Sequence, residues 1–126
     1  MLSLRKTQPA FGLDIGEAPP AAAPGPGEVM VRVENAGICG SEVHAYEWTD
    51  GYQFMVPHMP VTMGHEFAGH IAATGPGVTL PEGTRVTVMP GITCGTCPNC
   101  ARGDVRNCQR RSALGLTRAG GFAQHV

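Results

Sequence analysis

Cys94, Cys97, Cys100 and Cys108 form a C-x2-C-x2-C-x7-C run, a spacing at which four thiolates can close around one tetrahedral zinc ion. Four sulfurs at about 2.3 Å from the metal leave no coordination position open for water or substrate. The set therefore describes a structural clamp and not a reaction centre. Gly95, Pro98, Asn99 and Gly103 lie between the sulfurs and permit the tight turns that convergence requires. Zinc held this way contributes on the order of 10–16 kcal/mol in small peptides at neutral pH, enough to fold a lobe otherwise too polar to do so. Disulfide pairing is the competing reading; it is disfavoured because nothing resembles a secretory signal, and thiols in a reducing compartment are better explained by metal.

A second set has different chemistry: Cys39, Ser41, Glu42, His44, His65 and Glu66. Cys39 and His65 each follow a strand-like stretch, where a turn can present a ligand to a cleft. Taken singly, a cysteine is most often a small buried hydrophobe and a histidine an ordinary hydrogen-bonding group. Spacing alone leaves that reading standing beside a shared zinc. The neighbours supply what chemistry on an alcohol requires: a Lewis acid with an open position, a proton exit, and groups that orient the ligands. Ser41 and His44 can pass a proton outward, and Glu42 and Glu66 can hold or tune ligands.

The elements that must position these groups are short and β-rich. Leu2 to Lys6 and Phe11 to Ile15 read as a first pair of strands, and Ala18 to Gly27, with four prolines, as an extended connector. Val29 to Glu34 alternates strictly, its three valines on one face, and is the clearest strand. Ser41 with Glu42 predicts an N-cap and acidic first turn for a short helix ending near Trp48, which puts Ser41 and His44 on one face. Thr49 to Pro60 reads as a loop. Phe67 to Thr74, Arg85 to Met89 and Gly120 to Val126 read as strands, with the cysteine lobe as an excursion from the sheet.

Composition fits one globular domain. The 126 residues include 18 glycines and 11 prolines, which favours many turns over long helices. No apolar run reaches the roughly 18 residues of a membrane span, and Met1 to Lys6 lacks the apolar stretch of a signal peptide, so the expectation is a soluble cytoplasmic chain with no membrane partner. A net charge of −1 gives no global pull toward nucleic acid. Arg102, Arg106, Arg110, Arg111 and Arg118 gather in and after the cysteine lobe, and read as a solvated face. There is no internal repeat and no G-x-G-x-x-G turn, so no dinucleotide-binding unit is expected within the chain.

Taken together, Gly64-His65-Glu66 with Gly69, Gly75 and Val78, Gly37-Ile38-Cys39-Gly40-Ser41 with His44, Pro24 to Val29, the four-cysteine lobe and Gly121-Phe122-Ala123 resemble the zinc-dependent medium-chain alcohol and polyol dehydrogenases along essentially the whole chain. Cys39 to Trp48 and the loop after it are most similar to the threonine and sorbitol dehydrogenase branch. The resemblance implies a mainly β fold: residues 1–126 form a GroES-like β-barrel with short helices and an inserted zinc lobe at 94–108. It implies two zinc ions. Cys39 and His65, with Glu66 beside them, hold the catalytic one; Cys94, Cys97, Cys100 and Cys108 hold the structural one. The substrate hydroxyl then binds zinc as an alkoxide, Ser41 takes its proton, His44 helps deliver it to solvent, and hydride passes to NAD or NADP. The cofactor would be bound by a Rossmann domain expected beyond Val126, together with the third zinc ligand.

Two positions depart from the family pattern. Glu42 stands where an aspartate is usual, implying a longer or shifted hydrogen bond to His65, and Thr84 replaces an aspartate in the turn before Arg85. The expected function is the zinc-binding catalytic part of an NAD(P)-dependent dehydrogenase of secondary alcohols, polyols or threonine-like substrates. The isolated chain is expected to be inactive, and the full-length protein a dimer or tetramer. Trp48, Tyr52 and Phe54 are candidates for the specificity pocket by position alone. The alternatives are a stand-alone non-catalytic zinc-binding or interaction module and, with less support, a zinc-ribbon nucleic-acid binder, which the slightly negative charge and the lack of aromatics among the arginines disfavour.

Overall fold

The computed structural model describes every residue from Met1 to Val126. β1 (Leu2–Lys6) lies between β2 (Asp14–Glu17) and β4 (Val61–Thr62), all antiparallel. A second sheet has the order β3 (Val29–Gly37), β5 (Glu66–Thr74), β6 (Arg85–Thr87). β3 and β5 form its longest ladder, from Val29 opposite Thr74 to Gly37 opposite Glu66, with register shifts at Met30/Val31 and Val33/Asn35. The alternation expected for Val29 to Glu34 holds: Val31 is buried while Arg32 and Glu34 face solvent. β5 alternates too, burying Phe67, Gly69 and Ile71.

The segment expected as a last strand stitches the two sheets together. Phe122 bonds to β1 through Leu4 N–H, and Val126 exchanges both backbone bonds with Val31 of β3 at 2.7 and 3.0 Å. The pairing is confined to single bridges, Ser3 with Ala123 and Arg32 with His125, because the chain passes from one sheet to the other within four residues. That closure makes the fold a mainly β barrel. Two small apolar clusters fill it: Val31, Phe67 and Leu114 between the sheets, and Ala45, Met55, Val61 and Met63 under the helix.

Three expected boundaries move. The second strand is Asp14–Glu17, not Phe11 to Ile15, because Ala10 and Gly12 give their carbonyls to Lys6 and draw residues 10–12 into a turn. The helix α1 runs from Gly40 to Glu47 with Cys39, not Ser41, at its N-cap, and Trp48 ends it in the left-handed conformation. Arg85 to Met89 pairs only as far as Thr87, and Met89 is exposed. Within the expected loop, Gln53–His58 winds into a 3-10 turn that buries Met55. No helix is long and apolar enough to cross a membrane.

Candidate metal and catalytic site

Cys39 and His65 are 26 positions apart in sequence, and β3 and β5 bring them together. β3 ends at Gly37, and its partner residue Glu66 opens β5, so the residues just outside that last pair meet at the same sheet edge. Cys39 Sγ lies 3.2 Å from His65 Nε2. Sulfur and nitrogen bound to one tetrahedral zinc would stand about 3.5 Å apart. Gly64, next to His65, packs against Phe122. It holds φ of +92°, and a Cβ there would come within 2.4 Å of the Phe122 ring and 2.8 Å of the Phe122 backbone nitrogen.

Glu42 organises the pair. It is 3% exposed and stands in the first turn of α1. Its Oε2 accepts the Cys39 N–H at 3.1 Å, while Oε1 accepts the His65 N–H at 3.2 Å and faces His65 Nδ1 at 2.5 Å. The longer or shifted contact expected from glutamate in place of aspartate is therefore not what forms. The extra methylene lets one carboxylate reach both chain segments. With Nδ1–H directed at a carboxylate, the Nε2 lone pair is left facing Cys39, the arrangement a metal-ligating histidine needs. Cys39, Glu42 and His65 each offer a ligand atom within 4.8 Å of the others. Glu66 stands at the rim, half exposed, its Oε1 3.9 Å from His65 Nε2.

Ser41 Oγ lies 3.0 Å from Cys39 Sγ. His44, one turn on, does not bond to Ser41; its Nδ1 pairs with Thr49 Oγ1 at 3.3 Å, toward solvent. Between them stands Tyr52, its ring 5.9 Å from the His44 ring and its hydroxyl near Ser41. Burial, then the charges of Cys39 and Glu42, push the Tyr52 hydroxyl above its ordinary pKa, so it stays protonated. Sequence reasoning missed the placement of Thr49 and Tyr52 beside His44. Position suggested Tyr52 only for a specificity pocket, and no spacing rule links a loop tyrosine to a helix serine. Trp48 instead packs under the helix over Lys6, whose Nζ lies 5.0 Å from its ring, and Phe54 is half exposed against Tyr52.

The four lobe cysteines also converge. α2 (Pro98–Ala101) begins at Cys97, and β7 (Gly91–Ile92) pairs with β8 (Ser112–Ala113) to close the neck. All five cysteines are free, and Cys94 and Cys108 sulfurs stand 3.6 Å apart, near the roughly 3.8 Å edge of a zinc-thiolate tetrahedron and far from a bond. Backbone N–H groups converge on the sulfurs, from Cys94 to Cys108, Cys97 to Cys94 and Cys100 to Cys97. The Thr96 N–H, with those of Cys97 and the Arg110 guanidinium, holds the Cys94 thiol down at about 5. Burial, with Cys97 and Cys108 beside it, pushes Cys100 up to about 12. The four sulfurs thus lie within 4.8 Å of one another, with backbone N–H groups and one guanidinium directed at them. A divalent cation at the centre would balance four sulfurs held this close, so the donor set fits zinc. A concavity between Ala18–Pro24 and Thr117–Gly120 lies elsewhere and contains none of these groups.

Residues 25–126 match the alcohol dehydrogenase GroES-like domain. The chain belongs to that family. Among curated relatives it is 39% identical over 127 residues to L-threonine 3-dehydrogenase of Pyrococcus abyssi, a match spanning all of this chain and 36% of the relative. Among solved structures it superposes on galactitol-1-phosphate dehydrogenase from Escherichia coli with a TM-score of 0.85 at 31% identity, covering all of this chain and 35% of that one. A protein of Escherichia coli CFT073 described as a short chain alcohol dehydrogenase, solved with NADH, gives a TM-score of 0.83 at 37% identity, over 100% and 35% of the two chains. The chain thus spans about a third of the length of the relatives it matches.

Proposed function

We propose that this chain is the zinc-carrying, substrate-activating domain, residues 1–126, of a longer NAD(P)-dependent dehydrogenase that oxidises a secondary alcohol, a polyol or a threonine-like substrate. The observation that carries the proposal is the Cys39–His65 pair, 3.2 Å apart, with the second nitrogen of His65 directed at the buried Glu42. Cys39 and His65 hold the catalytic zinc in this reading, Glu66 stands beside it, and Cys94, Cys97, Cys100 and Cys108 hold a second, structural ion. Zinc at the first site supplies Lewis-acid stabilisation of negative charge on the substrate oxygen. Ser41, beside Cys39, takes the substrate hydroxyl proton, and His44, paired outward with Thr49, hands it to solvent. Tyr52 stays protonated and closes the inner side of the exit. A nicotinamide held by the remainder of the protein, an NAD(P)-binding domain with which this one would assemble in a cytoplasmic homo-oligomer, would serve as the hydride acceptor. The isolated chain carries no turnover in this reading.

The test is oxidation of L-threonine, polyols and secondary alcohols by the full-length protein with NAD or NADP. Ser41→Ala is expected to lower kcat by about 10²–10⁴-fold with the zinc content unchanged. Cys39→Ala is expected to abolish turnover and remove one zinc. Full activity in Cys39→Ala would overturn the assignment.

A further inference from the structure

The arginines that gather at the cysteine lobe are not equivalent. Arg102 bonds to Asn99 Oδ1 at the lobe's tip, and Arg118 pairs with Glu28 at 2.6 Å. Arg110 alone among them donates to a sulfur. Its Nη2 lies 3.6 Å from Cys94 Sγ and 2.6 Å from Thr96 Oγ1. Arg110 follows Cys108 by two residues, so this side chain reaches back from the exit limb of the lobe to its entry limb, along a path separate from the sulfurs. Other ties between the limbs include the β7–β8 neck and, at the tip, the bonds from Asn99 Nδ2 to the Asn107 carbonyl at 2.5 Å and from Asp104 N–H to the Asn99 carbonyl at 2.9 Å.

Resting on the reading of the lobe as a zinc site, we propose that Arg110 is a metal-retaining residue: its guanidinium balances the charge of the four-thiolate cluster at Cys94 and, anchored by Thr96, straps the two limbs of the lobe together. A zinc ion with four thiolates carries a net charge of −2. The backbone donors to the sulfurs are neutral dipoles, whereas Arg110 brings a full positive charge to a cysteine on the entry limb. Metal leaves such a site by dissociation of one thiolate at a time. A charge-assisted donor at Cys94 favours the bound thiolate, and the Thr96 anchor keeps the freed limb close enough to rebind. Lysine can keep the charge but not the fork that spans sulfur and hydroxyl at once.

The experiment follows transfer of zinc from the purified chain to a chromogenic chelator in excess, in a Cys39→Ala background so that only the lobe contributes. Arg110→Gln is expected to release zinc about tenfold faster, the lower end of the range for outer-sphere partners, since the side chain is exposed. Arg110→Lys and Thr96→Val should fall between it and the parent, and Arg106→Gln, at an arginine with no sulfur contact, should match the parent. Equal rates for Arg110→Gln and parent, both carrying one zinc, would overturn the role of Arg110 while leaving the lobe's zinc intact. A parent chain that carries no zinc would instead overturn the reading on which the proposal rests.

Discussion

Both carboxylate oxygens of the buried Glu42 are engaged, one on the Cys39 N–H and the other on His65. An amide at this position would present a donor where an acceptor is needed, so Glu42→Gln breaks one of these contacts and leaves the His65 ring free to turn. The expected result is a 10–100-fold loss of zinc affinity, as an order of magnitude for outer-sphere partners, at the Cys39–His65 site with the lobe unaffected; competitive metal titration checks it. Unchanged affinity would mean that Glu42 serves only the fold. The sequence carried part of this signal, since Cys39-x-x-Glu42 has the spacing of a helix capping box. The weight given to Ser41 as a cap hid it: serine is the stronger capping type, but a thiol facing the site occupies the position instead.

At the scale of elements, the β3–β5 ladder and α1 together set the site, and Gly64, the residue before His65, seats that ligand's segment against Phe122. A Cβ at Gly64 would strike both the ring and the backbone of Phe122, and alanine is also strained at its positive φ. Gly64→Ala should therefore cost about 1–3 kcal/mol of stability and displace His65 enough to empty the site, read by thermal denaturation alongside zinc content. Full retention of both would contradict the account. Lys6 is a second anchor. Fully buried, it gives its ammonium to the carbonyls of Ala10 and Gly12 and sits over Trp48, fixing the end of the helix that carries Ser41 and His44. Lys6→Met leaves two carbonyls without a donor and should destabilise the chain by about 1–3 kcal/mol in urea denaturation. The strictly alternating strands were legible in sequence because one face of each is buried. The short second strand was not, since its start is dictated by where Lys6 finds its partners, a tertiary fact that no local pattern records.

Across the whole molecule, the ion pair between Arg118 and Glu28 joins residues 90 positions apart, near the stretch that closes the barrel. The hydrogen bond from Arg118, then the Gly25 N–H, holds the Glu28 carboxyl below its usual value of 4.5. Because the folded pKa lies under the unfolded one, the unfolded chain takes up the proton first as pH falls. The pair's stabilisation is complete above about pH 4.5 and is lost as pH drops through the folded value. Both groups are exposed, so the contribution stays within about 1 kcal/mol. Arg118→Gln should flatten the acid limb of the stability profile, and an unaltered limb would assign no role to the pair. Family and barrel were legible at this scale because the glycine, cysteine and histidine spacings run the length of the chain, whereas the placement of Thr49 and Tyr52 against His44 depends on how one loop winds. We propose that one chain builds two zinc sites of different kinds. Native mass spectrometry of the purified chain and its Cys39→Ala variant tests it most directly. Two zinc ions in the parent and one in the variant are predicted, and a single ion in both would contradict the claim that Cys39 and His65 hold a metal.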